Sequence, residues 1–126
     1  MACIDPDGDP TTGVVRTLTT NTVFNSHLDD IKFTSLGGSN AWPTDRDLNI
    51  WVGGTIEDQY GNELLGYAQF PDQFATKPNT DGVVIRTVSF GRTGNVASPF
   101  DEGRTTTHEV GHWLDLRHIW GGWLRL

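Results

Sequence analysis

The stretch that decides the fold runs His108-Glu109-Val110-Gly111-His112-Trp113-Leu114-Asp115-Leu116-Arg117-His118. Three of the four histidines in the chain fall within it. His108 and His112 are four positions apart, so on a helix they project from one face, one turn from each other. Two imidazoles so placed can grip one zinc ion at roughly 2.0–2.1 Å each. Glu109 adjoins the first of them, within reach of a water activated by such a metal, and this completes the His-Glu-x-x-His pattern of zinc hydrolases. His118 is a candidate third ligand. A helix continued through it would carry it about 9 Å along the axis from His112 and turn it off the shared face. The chain is therefore expected to stop being helical and double back between His112 and His118.

The competing reading is three solvated or core histidines on an amphipathic helix, and a third histidine at this interval weighs against it. A downstream Glu as third ligand is the less favoured reading, because only apolar residues, Gly and Arg follow His118 in these 126 residues. His27, alone in Phe-Asn-Ser-His-Leu-Asp-Asp, reads as a surface or turn residue.

Working outward, the helix should begin near residues 101–103, where Asp101 and Glu102 suit its positive end, and run to about Leu114. Val110 and Leu114, opposite the histidine face, form an i,i+4 apolar pair expected to rest on a sheet. Trp113 and Trp120 read as packing residues. Residues 48–52 are β-rich and bounded by Asp47 and Gly53-Gly54, which makes them the best strand candidate. Residues 64–70, closed by Pro71 as suits an edge or strand end, and residues 82–85, extending as far as 90, are further candidates. So are 14–19 and 31–34. Residues 37–40 and 91–98 read as loops. Residues 5–13 are turn-rich; their Asp-x-Asp-Gly-like string lacks the later ligands and terminal Glu of a calcium loop, so an ordinary turn is preferred.

At 126 residues the chain allows one domain with a single core. A net charge of −7 argues against nucleic acid as a partner, because phosphates favour basic surfaces. No stretch approaches the length of a membrane span. The first ten residues have neither the basic start nor the apolar run of a signal peptide. The single cysteine, Cys3, excludes an intrachain disulfide and a cysteine-based zinc site. Nothing in the sequence specifies an oligomeric state.

The segment from Gly103 through Thr107 into His108–His118, then Ile119-Trp120-Gly121, resembles the pappalysin family of metzincin zinc metalloproteases, in the branch that holds the ulilysin- and cytophagalysin-like enzymes. Residues 12–17, 48–52, 65–71 and 81–85 resemble family segments in family order. The resemblance implies an α+β fold: a metzincin-like N-terminal subdomain with a twisted mixed β-sheet packed on the active-site helix. It implies that residues 64–70 form the edge strand that pairs with an extended peptide substrate. The family usually places Gly at the turning position, which here is Asp115; Asp is among the few other residues that visit the left-handed region. Residues 1–126 resemble part of a metzincin catalytic domain, without the family's upstream strand and helix, its downstream Met-turn subdomain or its usual calcium-ligand segment. Calcium is therefore a cofactor by resemblance only, and secretion is likewise implied by the family.

These readings together give a zinc-dependent endopeptidase acting on protein or peptide substrates. His108, His112 and His118 would hold Zn²⁺, and Glu109 would be general base to a metal-activated water. Two alternatives stand beside it: a fragment that binds zinc but is catalytically inactive, and a non-catalytic interaction domain whose histidines are incidental.

Overall fold

In the computed structural model, which describes residues 3–119, two short mixed sheets carry one helix. The strands are β1 (Val23–Asn25), β2 (Ile50–Gly53), β3 (Thr55–Glu57), β4 (Glu63–Leu64), β5 (Gly66–Ala68) and β6 (Val83–Arg86), and the helix is α1 (Arg104–Trp113). One sheet has the order β1-β3-β4 and the other β2-β6-β5.

The two sheets share their chain. β2 and β3 are one run broken at Gly54, and β4 and β5 are one run broken at Leu65. β3 and β4 close antiparallel, with Ile56 opposite Leu64 and Glu57 opposite Glu63. Beyond that hairpin the two arms splay and β6 enters between them, parallel to β2 and antiparallel to β5. The single twisted sheet expected from the sequence is thus resolved into two ladders. Asp58 shapes the hairpin turn: its carboxylate accepts the backbone N–H groups of Tyr60 (2.8 Å) and Asn62 (2.9 Å), an Asx device.

Period-2 alternation sorts the strand residues onto two faces. Trp51, Val84 and Tyr67 share one face, and with Phe24, Ile31 and Ile56 they form the apolar core. Beneath this face lies the buried Lys32. Its ammonium donates to the carbonyl of Thr80 (2.8 Å), pairs with Asp29 (2.9 Å) and sits over the Trp51 and Tyr67 rings. On the opposite face, Gly66, Val83 and Ile85 lie with α1, which packs on β5 and β6.

Several expectations hold. The helix and the strands at 48–52, 64–70 and 82–85 form with shifted or divided boundaries. His27 is exposed in a turn, and residues 37–40 and 91–98 are loops. The Asp5 carboxylate accepts the N–H groups of Asp7 (3.0 Å) and Asp9 (2.8 Å), closing the entry as an ordinary turn.

Others are corrected. Residues 14–19 form no strand; Val14, Val15 and Leu18 are exposed, with no neighbouring strand to pair. The strand of this region is β1, further on. Residues 31–34 lie in two 3-10 turns, Asp30–Lys32 and Thr34–Leu36, wound tight so that the amide of Gly38 reaches the carbonyl of Phe33 and that of Ser39 the carbonyl of Ile31. The strand at 82–85 ends at Arg86 in a 3-10 turn, Thr87–Ser89, instead of extending to 90. Leu114 does not rest on the sheet: it is 60% exposed, while Val110 is half-buried. The helix face turned to the sheet carries Glu109, which is 7% exposed, and Trp113. Trp120 lies outside the described residues.

Candidate metal centre

Helix α1 begins after Gly103, whose positive φ of 70° suits glycine, and no side chain caps it. It ends at Trp113, where the chain reverses. The amides of Leu114, Asp115 and Leu116 return to carbonyls of the last turn, Leu116 N–H to Gly111 at 2.9 Å. Asp115 stands in the left-handed region at φ 67°. The reversal expected from the histidine spacing is therefore present, and Asp115 is its pivot. Its carboxylate is held by Arg117 at 3.1 Å.

The reversal brings His118 back beside the helix. The three Nε2 atoms form a near-equilateral triangle: His108 to His112 3.0 Å, His112 to His118 3.1 Å, His118 to His108 2.9 Å. They are the one group of three or more potential metal-binding side chains among the described residues. The fourth histidine, His27, lies elsewhere, in its turn.

The donor chemistry of the triangle suits a cation. His112 Nδ1 is 2.7 Å from the carbonyl of Leu116. A carbonyl only accepts, so Nδ1 carries the proton and Nε2 presents a lone pair. In a triangle of nitrogens that each either donate or accept, at least one pair must be alike, proton to proton or lone pair to lone pair. A shared cation removes that conflict. Four-coordinate zinc with bonds of 2.0–2.1 Å would set its nitrogen ligands ~3.3 Å apart, close to the spacing observed. His108 is held below the usual imidazole range, first by desolvation and then by the charges of His112 and His118, which favours the neutral form that metals bind.

Phe70 and Asp81, which the sequence did not single out, meet this segment. Phe70, just past β5, lies against the His112 ring, centroids 5.3 Å apart, and the guanidinium of Arg117 lies over the Phe70 ring at 4.7 Å. The Trp113 indole N–H donates to both carboxylate oxygens of the buried Asp81, at 3.1 and 3.2 Å. These pairings link positions some thirty or more residues apart, and no local spacing announces them.

Glu109 is buried between α1 and β5. No hydrogen bond or ion pair holds its carboxylate among the described residues. Burial pushes it up to about 7, with His112 opposing the shift. Gly66 makes room for it: a β-carbon there would lie 3.0 Å from Glu109 Cγ and 2.7 Å from the carbonyl oxygen of Val84. Beside the triangle an open cleft of about 490 Å³ is lined by Arg104, Thr107, Gly111, Leu116 and Arg117 together with the histidines.

Among the described residues β5 pairs on one side only, with β6, Gly66 opposite Ile85, Tyr67 opposite Val84 and Ala68 opposite Val83. Just outside these pairs Arg86 N–H bonds Leu65 (2.8 Å) and Gln69 N–H bonds Gly82 (3.1 Å), so 65/86, 67/84 and 69/82 are the hydrogen-bonded pairs. By the alternation of an antiparallel ladder, the amides and carbonyls of Gly66 and Ala68 then point away from β6, along a free edge.

Comparison with known proteins agrees with this geometry. The model of a peptidase family, M43, described as pregnancy-associated plasma protein-A, matches residues 34–124. Mirolysin of Tannerella forsythia, solved with a cleaved peptide, is 59% identical and superposes with a TM-score of 0.87 over 95% of this chain and 43% of its own. A second mirolysin structure, with a bound compound, gives 58% identity and a TM-score of 0.88 over 96% of this chain and 42% of its own. An extracellular metalloprotease of Verticillium alfalfae is 40% identical over 83 residues, 63% of this chain and 27% of that protein. One of Colletotrichum graminicola is 35% identical over 116 residues, 75% and 39% respectively. The chain thus spans less than half the length of these relatives.

Proposed function

The chain belongs to the M43 peptidases, the pappalysin metalloproteases, and from that membership we propose that it carries the zinc site and general base of a secreted endopeptidase, as part of a larger catalytic domain. His108, His112 and His118 hold the ion, and Glu109 is the base. The observation that carries this reading is the triangle of three imidazole nitrogens within 3.1 Å of one another, with Glu109 next in sequence to the first.

The chain's own residues divide the work. His112 keeps its lone pair on the metal side because Leu116 fixes the proton on Nδ1. When bound, zinc polarises the scissile carbonyl and lowers the pKa of a water toward neutrality. Glu109 takes a proton from the attacking water and returns it to the leaving amine. The free edge of β5 supports an extended peptide as substrate: the outward amides and carbonyls of Gly66 and Ala68 would add it as a further strand, holding its backbone whatever its sequence.

The reading is tested by metal analysis of the purified chain, followed by cleavage of casein or a peptide in the presence of zinc. One zinc per chain is expected, lost in His118→Ala, with cleavage abolished in Glu109→Ala. Zinc content near zero, the same in wild type and His118→Ala, would remove the metal site. Undiminished cleavage by Glu109→Ala would remove the base. Zinc bound at full stoichiometry without any cleavage would reduce the chain to a metal-binding fragment.

A further inference from the structure

α1 packs on β5 and β6, and among the described residues one side-chain hydrogen-bond donor ties it to the sheet side, the Trp113 indole. Its N-terminus has no side-chain cap, and Leu114, just past its end, is 60% exposed. Rotation nonetheless decides where the ligands aim, since each residue advances 100° around the helix. His108 and Glu109 are neighbours, as are His112 and Trp113, so the orientation of Trp113 sets that of His112 beside it and of Glu109 one turn before.

Trp113 is held by one directional contact. Its indole N–H donates to both oxygens of Asp81, at 3.1 and 3.2 Å, and Asp81 is 4% exposed. A charged acceptor makes such a bond shorter and stronger than a neutral one. The segment bearing Asp81 is itself anchored. Thr80 passes its carbonyl to Lys32 (2.8 Å) and its hydroxyl to Gln69 Oε1 (2.6 Å), and Gln69 Nε2 donates to the Lys77 carbonyl (3.0 Å). Gln69 immediately precedes Phe70, which lies on the His112 ring. Asp81 and Phe70 therefore stand on one hydrogen-bonded platform and meet the last turn of α1 at consecutive residues, Trp113 and His112.

We propose that Asp81 is a positioning residue: through the Trp113 indole it sets the rotation of α1, and so the aim of His108, His112 and Glu109. This rests on the zinc-peptidase reading above, and it assigns Asp81 no contact with metal or substrate. Small misplacements of reacting groups cost large factors in rate, so a group remote from the reaction can govern it by rotation alone.

The test uses the 126-residue chain with zinc and, as a spectroscopic probe, cobalt(II). Asp81→Ala is expected to weaken zinc binding by roughly ten-fold or more, in the range typical of outer partners of metal ligands, and to change the visible cobalt spectrum. On a peptide, kcat should fall more than KM rises. Asp81→Asn keeps an acceptor for the indole and should recover most of the loss. Trp113→Phe removes the donor and should reproduce the metal phenotype, with the double variant no worse than either single one. Asp81→Ala with wild-type zinc affinity and cobalt spectrum, whatever its melting temperature, would overturn the proposal. If Asp81→Ala does not fold, Asp81→Asn and Trp113→Phe decide by the same criteria. A wild-type chain that takes up no metal would sink the zinc reading instead. Hydrogen exchange on the metal-free chain then decides about Asp81: protection lost over residues 104–113 in Trp113→Phe supports it, and unchanged protection refutes it.

Discussion

Gly66 of β5 and Glu109 of α1 are in contact across the gap between strand and helix, with no room for another atom: a β-carbon on Gly66 would stand 3.0 Å from Glu109 Cγ. The same atom would be 2.7 Å from the Val84 carbonyl oxygen, a backbone group that cannot swing aside. Gly66→Ala must therefore spread β5 from β6 or lift α1. Overpacking of this kind costs about 1–3 kcal/mol. A lowered unfolding midpoint in urea is expected, with a larger fractional loss of peptidase activity than of zinc, because the imidazoles ride on α1 and its reversal and keep their mutual spacing while Glu109 loses its seat against β5.

Glu109→Gln should leave the metal in place and remove the proton transfer. A fall in kcat of about 10²–10⁴-fold is expected for the loss of a general base. Equal zinc content in wild type and variant, measured on the same preparations, separates this from damage to the metal site.

Removal of the metal should lower stability by mass action. A ligand at 100 times its dissociation constant stabilises the folded state by about 2.7 kcal/mol. Chelation of the loaded chain should accordingly lower its melting temperature, and zinc should restore it. His118→Ala should melt at the same temperature with and without added zinc.

Lys32 supplies a pH dependence. Desolvation, its largest influence, holds its pKa below the ordinary lysine value, against the pull of Asp29. The folded chain then binds fewer protons than the unfolded chain over the interval between the depressed value and 10.5. Stability from this group rises with pH across that alkaline interval. In Lys32→Met the rise is absent, so the stability difference between wild type and variant should shift in favour of wild type as pH climbs. A constant difference in denaturant midpoint through that range would contradict the assignment.

Asp115→Gly should preserve the metal site, because glycine enters the left-handed conformation without steric cost. The Arg117 ion pair it removes is more than half exposed on both sides and worth little. Asp115→Val should disrupt the site, since a β-branched residue at φ 67° is strained. Zinc affinity of the two variants checks this.

The gathering of the three histidines was legible in the sequence because it is local. His108, His112 and the reversal at Asp115 follow from helical spacing and left-handed propensity within eleven residues. The strands at 48–52, 64–70 and 82–85 were legible from β-rich runs closed by Gly, Asp and Pro. Their division into two ladders was not, because it depends on β6 entering between arms that precede it in the chain. The 3-10 turns at 30–36 escaped because the short alternation Ile31-Lys32-Phe33 reads as a strand, and three residues are too few to tell it from a tight turn. The expectation for Leu114 failed because the helix ends at Trp113, one residue before it, and the chain reverses there, leaving Leu114 exposed.

The splayed hairpin has a consequence for the order in which the site is completed. The imidazoles come from one short, contiguous span, but Phe70 and Asp81, which meet that span, and the strand that covers Glu109 lie in or beside β5 and β6. The site is therefore completed only when the sheet is. A chain whose sheet is loosened by heat or mutation would be expected to lose its grip on an ion and the seat of its base together.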